Sequence, residues 1–61
     1  HICFEVNNIE SIVNELREKG INTWLSENIA VFPAYGGLKN IFFRGPDGEQ
    51  IELFQYYPMN Q

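Results

Sequence analysis

The sequence predicts an α+β fold in the order βαβββ, a four-stranded mixed sheet with a single helix packed on one face. Three stretches predict it. Residues Phe42 to Gln55 read as two extended segments joined at Gly45-Pro46-Asp47-Gly48. Pro presets φ for the first central position of a type I turn, Asp bonds its own backbone there, and Gly suits the last position. Residues Asn7 to Gly20 carry the marks of a capped amphipathic helix, and His1 to Val6 alternate as a half-buried strand does.

In the first strand Ile2, Phe4 and Val6 share one face and His1, Cys3 and Glu5 the other. Asn7 can cap the helix with Glu10 reaching back to close a capping box, although Asn8 is an equally good cap residue. Ile9, Ile12, Val13 and Leu16 fall at i, i+3, i+4 and i+7, one apolar stripe of a helix over Asn8–Lys19. Glu10 complements the positive end of its dipole, Arg17 and Lys19 the negative end, and Gly20 supplies the left-handed residue that ends it. Ile21 to Leu25 is expected as the second strand from its β-branched and aromatic residues, with Ile29 to Phe32 either extending it after an irregularity or standing alone. Pro33 and Gly36-Gly37 mark a loop. Lys39 to Arg44 and Gln50 to Tyr57 are the third and fourth strands. In the fourth, Ile51 and Leu53 alternate with Gln50, Glu52, Phe54 and Tyr56, which puts Glu52 on the face opposite its apolar neighbours.

One helix covers one face of such a sheet, so Ile2, Phe4, Val6, Ile51 and Leu53 are expected against the helix stripe. The other face, with His1, Cys3, Glu5, Glu52 and Phe54, is too polar for a core and too aromatic for plain solvent. A second sheet is expected to complete a concave cavity over it, from another module of the same chain or from a symmetric copy. The 61 residues make one small module, marginal alone because so short a chain buries only about 60% of its unfolded surface. Beginning at His1 rather than Met, it is compatible with the C-terminal half of a two-module domain.

A net charge of −4, with no cluster of Lys or Arg, argues against nucleic acid as a partner. No apolar run approaches the roughly 20 residues a membrane span needs. The single Cys3 excludes an internal disulfide and, with no signal peptide in view, points to a reducing cytoplasm.

The run His1-Ile2-Cys3-Phe4-Glu5-Val6, the short helix closing in Lys19-Gly20, and the run Phe42-Phe43-Arg44-Gly45-Pro46-Asp47-Gly48-Glu49-Gln50-Ile51-Glu52-Leu53 together resemble one βαβββ module of the vicinal oxygen chelate superfamily. That superfamily includes glyoxalase I, bleomycin resistance proteins, methylmalonyl-CoA epimerase, fosfomycin resistance enzymes and extradiol dioxygenases. Residues Thr23 to Leu38 match no pattern of it. The resemblance implies the sheet order 1-4-3-2 and a metal cavity shared by two modules. It also implies ligand positions at His1 and Glu52, with Glu52 as the catalytic carboxylate; Cys3, Glu5, Phe42 and Phe54 are expected around the substrate cavity.

Strand phase independently puts His1 and Glu52 on one face, as a shared ion requires. Imidazole and carboxylate suit Zn²⁺, Ni²⁺, Fe²⁺ or Mn²⁺, but two ligands are too few for a catalytic site, so a second module must supply the rest. Plainer readings stand beside these. Against the favoured ligand reading, His1 reads as a chain terminus or the end of a tag, and Glu52 as a sheet carboxylate paired with Lys39 or Arg44. Cys3 reads as a small buried hydrophobe rather than a ligand, and Glu5 as a solvated or salt-bridged residue rather than a general base. Two functions follow: a metal-dependent glyoxalase-like enzyme acting on a small oxygen-chelating substrate, and, as the alternative, a metal-free protein binding an aromatic or cationic small molecule such as an antibiotic.

Overall fold

The computed structural model of the chain describes residues 2–57. The expected ligand His1 lies outside them. The elements run β1 (Ile2–Glu5), α1 (Ile9–Glu18), β2 (Ala30–Phe32), a 3₁₀ turn (Ala34–Gly36), β3 (Leu38–Arg44) and β4 (Gln50–Tyr56). They form an α+β fold with a four-stranded mixed sheet in the order β1-β4-β3-β2. β1 pairs parallel with β4, and the other two pairings are antiparallel.

α1 forms where its apolar stripe and caps agree. Asn8, not Asn7, is the N-cap, its Oδ1 accepting from the Ser11 amide at 3.2 Å. Ser11 stands at the capping-box position, so Glu10 does not reach back and instead meets Lys39 Nζ of β3 at 2.7 Å. The first helical amide, that of Ile9, donates to Gln55 Oε1 of β4 at 2.8 Å, so the sheet itself satisfies one of the orphan donors of the helix start. At the other end Ile21 N donates to Leu16 O at 3.0 Å and Gly20 N to Arg17 O at 3.1 Å, with Gly20 at φ 97°. This is a Schellman closure, and only glycine takes that φ without strain.

The β3–β4 hairpin closes through Gly48 N to Gly45 O at 3.0 Å and Gly45 N to Glu49 O at 2.8 Å, with Gly48 at φ 81°. The type I turn is therefore followed by a left-handed glycine that restores the strand twist. Glu49 ties the loop as well, its Oε1 accepting from the Asp47 amide at 3.0 Å.

The core is small. Ile9, Val13, Ile41, Phe43 and Leu53 are buried, with Val6, Ile12, Leu16, Ile21, Trp24, Ile29 and Ile51 packed around them. Ile2 and Phe4, expected against the helix, are instead 46% and 50% exposed. Their register partners Ile51 and Leu53 show that they point to the helix side. The helix, however, lies over β4 and leaves β1 overhanging as an edge.

The second strand also departs from its expected form. In the stretch Ile21 to Leu25 only Trp24 makes a bridge, to Phe43, flanked by Arg44 N to Thr23 O at 3.1 Å and Leu25 N to Phe42 O at 2.9 Å. Pairing with β3 resumes at Ala30 opposite Asn40, so five intervening residues on one side match two on the other. The extra length is odd and reverses the strand phase: Trp24 faces the helix, its ring 4.9 Å from that of Phe43, whereas Ala30 shares a face with Asn40. The excursion is held by Arg17 Nη2 on Glu27 O at 2.7 Å and Ser26 Oγ on Asn28 O at 3.1 Å.

Candidate functional site

The sheet face opposite α1 is built in rows by the strand register. Cys3, Glu52 and Phe42 lie across β1, β4 and β3 in one row; Glu5, Phe54 and Asn40 lie in the next. Four of the residues expected around a cavity, Cys3, Glu5, Phe42 and Phe54, thus share one face with Glu52. His1, expected to join Glu52 on an ion, is outside the described residues.

Glu52 is half-buried at the middle of this face. Its carboxylate is gripped from both neighbouring strands: Cys3 Sγ of β1 donates to Oε1 at 3.4 Å, and Asn40 Nδ2 of β3 donates to Oε2 at 3.0 Å. The cations that sequence offered as partners turn elsewhere. Lys39 lies on the other face with Glu10 and over the Tyr57 ring, and Arg44 Nη1 donates to Gly48 O at 3.0 Å. Phase explains Lys39, since it neighbours Asn40 in a strand whose side chains alternate.

Cys3 is exposed, not a buried hydrophobe, because β1 is an edge and this face has no second layer. Its hydrogen bond to Glu52, then desolvation and the Glu52 charge, push the thiol pKa above its ordinary value. It therefore stays protonated at neutral pH, which suits a donor to Glu52 and not a nucleophile. Glu5 is exposed on the same face, while Phe42 and Phe54 are half-buried. Phe54 meets Tyr56 edge to face at 5.8 Å, giving the upper part of the face an aromatic surface.

Asn40 is the site residue that sequence reasoning missed. The signal was present: Asn is a poor strand former, yet it sits in a strand with Ile41-Phe42-Phe43 following. Composition does not give its contact with Glu52, which depends on the antiparallel register of β3 with β4.

Among the described residues, no three His, Cys, Asp or Glu side chains gather to hold a metal ion. Glu52 supplies a carboxylate, a donor a divalent transition metal accepts, whereas the protonated Cys3 thiol is not a ligand. A carboxylate has about four lone-pair sites, so accepting from Cys3 and Asn40 does not saturate it. The described donors fit one share of a metal site, not a whole one.

A separate open pocket of 240 Å³ lies on the helix side, between the end of α1 and the β3–β4 turn, with Ile21, Phe43, Pro46 and Ile51 in its wall. Its lining includes no carboxylate, imidazole or thiol. No helix among the described residues is long and apolar enough to cross a membrane. No protein-family model, curated protein or solved structure matches the chain.

Proposed function

We propose that the chain is one βαβββ module of the vicinal oxygen chelate kind, whose Glu52 face forms half of a small-molecule cavity with a second module. It acts there as a metal-dependent, glyoxalase-like enzyme of the cytoplasm. The observation that carries this reading is the placement of Glu52 at the centre of the layerless face, its two oxygens oriented by strands on either side. The β1-β4-β3-β2 order supports it, since it makes the strands of Cys3 and Glu52 neighbours. His1 and Glu52 are the proposed ligands, completed by the second module. A divalent ion held there would supply Lewis-acid chemistry toward adjacent substrate oxygens. Glu52 is the catalytic carboxylate that accepts a proton from the substrate and returns it, and Phe42, Phe54, Cys3 and Glu5 bound the space the substrate occupies.

Elemental analysis of protein purified without a tag, beside Glu52→Gln, tests this. Gln keeps the shape and removes the charge, so stoichiometric metal in the native protein and its loss in a folded variant are expected. Stoichiometric metal retained by the variant, or none bound by the native protein, overturns the metal site.

A second reading, a metal-free binder of a cationic aromatic compound, is favoured by one observation: two carboxylates, Glu5 and Glu52, share the face with Phe42 and Phe54 in a chain of net charge −4. That reading takes over if metal is absent and such a compound binds saturably at low concentration in calorimetric titration, and more weakly to Glu52→Gln.

A further inference from the structure

We infer that the Asp47–Gly48 peptide is a modification site, an isoaspartate-forming step that the folded β3–β4 turn holds back through the Glu49 side chain. The chemistry needs no partner but water. The Gly48 backbone nitrogen attacks Asp47 Cγ, an N–C bond forms, the nitrogen gives up its proton and one carboxyl oxygen leaves as water. Water then opens the resulting cyclic imide at either carbonyl, returning aspartate or leaving isoaspartate with an extra methylene in the backbone. The sequence concentrates this reaction in one place: Asp47 is the sole aspartate of the chain, and no asparagine is followed by glycine. Glycine after the aspartate leaves the attacking nitrogen unshielded by a side chain. Both residues are exposed at the tip of the hairpin.

The folded turn opposes the attack at both amides beside the Asp47 carboxyl. Gly48 N, the nucleophile, donates to Gly45 O at 3.0 Å, so ring closure breaks the bond that closes the turn. Gly48 O is held as well, accepting from Arg44 Nη1 at 3.0 Å. The Asp47 amide donates to Glu49 Oε1 at 3.0 Å, which ties the backbone on the other side of the reacting carboxyl. The Glu49 side chain lies folded back against the turn, so closely that a Cβ at Gly45 would run into its carboxyl. Held on both sides, the Gly48 nitrogen reaches Asp47 Cγ only when the turn opens. The rate of modification is then the rate in an open chain multiplied by the fraction of time the turn is open, a local equilibrium separate from global unfolding. Isoaspartate, once formed, lengthens the backbone inside the loop closed by the Gly48-to-Gly45 and Gly45-to-Glu49 bonds, and the turn no longer closes in register.

The test incubates the full chain in warm, mildly acidic buffer, native and in guanidinium chloride, beside Glu49→Ala and Glu49→Gln. Isoaspartate is counted with an isoaspartyl methyltransferase and placed by peptide mapping, and amide exchange is followed at the turn and in the core. One hydrogen bond in a turn changes the open population about 2–10-fold, so Glu49→Ala is expected to form isoaspartate faster than the native chain by that factor. Glu49→Gln keeps an acceptor oxygen and should stay near the native rate, and the denatured chain should be fastest. Exchange in Glu49→Ala should quicken at Asp47 and Gly48 and not at Ile41 or Leu53. Faster exchange throughout would mean a loss of global stability and would overturn the role of Glu49 as a latch. No isoaspartate at Asp47 in the denatured chain overturns the site. A native rate equal to the denatured one overturns protection by the turn, and a Glu49→Ala rate equal to the native one overturns the role of Glu49. Where the native chain reacts too slowly to count, Asp47→Asn in each background passes through the same imide with loss of ammonia and is judged by the same ratios. Should Glu49→Ala fail to fold, Gly45→Ala, whose methyl displaces the Glu49 carboxyl, replaces it.

Discussion

Single side chains tie the layers of this module together by unusual routes, and Gln55 is the clearest. It occupies a core-facing position of β4 that an aliphatic residue would fill by pattern, yet its Oε1 takes the amide of Ile9, the first residue of α1 and fully buried. Gln55→Leu would increase apolar burial and strand that amide. An unsatisfied buried donor costs about 1–3 kcal/mol, which exceeds the gain from part of a leucine side chain at a half-buried position. The expected outcome is a net loss of about 1 kcal/mol, read as a lower midpoint in urea with an unchanged slope. A higher midpoint would mean that water replaces the Gln55 oxygen. The same residue-scale logic applies to two carboxylates near strands: Glu52 accepts from the neutral Cys3 and Asn40 side chains, and Glu10 from the Lys39 cation.

At the scale of elements, that cation joins helix to sheet. The Lys39 hydrogen bond foremost, helped by a backbone bond, holds the Glu10 carboxyl below the usual carboxylate range. A carboxyl whose folded value is depressed stabilises the fold above its unfolded value and loses that contribution as pH falls through the folded one. Glu10 is largely solvent-exposed, so the effect is modest. Comparing the native protein with Glu10→Gln in denaturant from pH 7 down to pH 3, the native protein is expected to be more stable at neutral pH. The gap should close below the ordinary carboxylate range. A gap independent of pH would show that the ion pair contributes nothing and that the side chains differ only in packing.

The whole molecule has few buried residues to spare. Stabilities of about 0.05–0.15 kcal/mol per residue put a chain of this length near roughly 3–9 kcal/mol. Ile41 lies at 1% exposure where β3 meets the helix stripe, and Ile-to-Ala truncation in a core costs about 2–5 kcal/mol. Ile41→Ala is therefore expected to leave a large unfolded fraction at 25 °C, visible as lost far-ultraviolet dichroism, whereas native-like signal and midpoint would mean that the core refills the cavity. Exposed Ile2 and Phe4 on the overhanging β1 edge add nothing comparable to the core of the isolated module.

The element order, the C-terminal end of the helix, the β3–β4 turn and the face on which Glu52 stands are legible in the chain, because each depends on neighbours within a few residues. Asn8, Gly20 and Gly48 act locally, and a period of two fixes which side of β4 is polar. The choice between Asn7 and Asn8 as cap was not local: Gln55, on the last strand, receives the amide of the residue after Asn8. Tertiary structure alone decided the second strand, whose three extra residues reverse its phase and erase the alternation by which strands are read. It also decided which apolar residues are buried, since Ile2 and Phe4 alternate correctly but lie beyond the reach of a helix seated on β4. The pairing of Glu52 with Cys3 and Asn40 belongs to the same class, because side chains distant in the chain meet only through the register of β4 between β1 and β3.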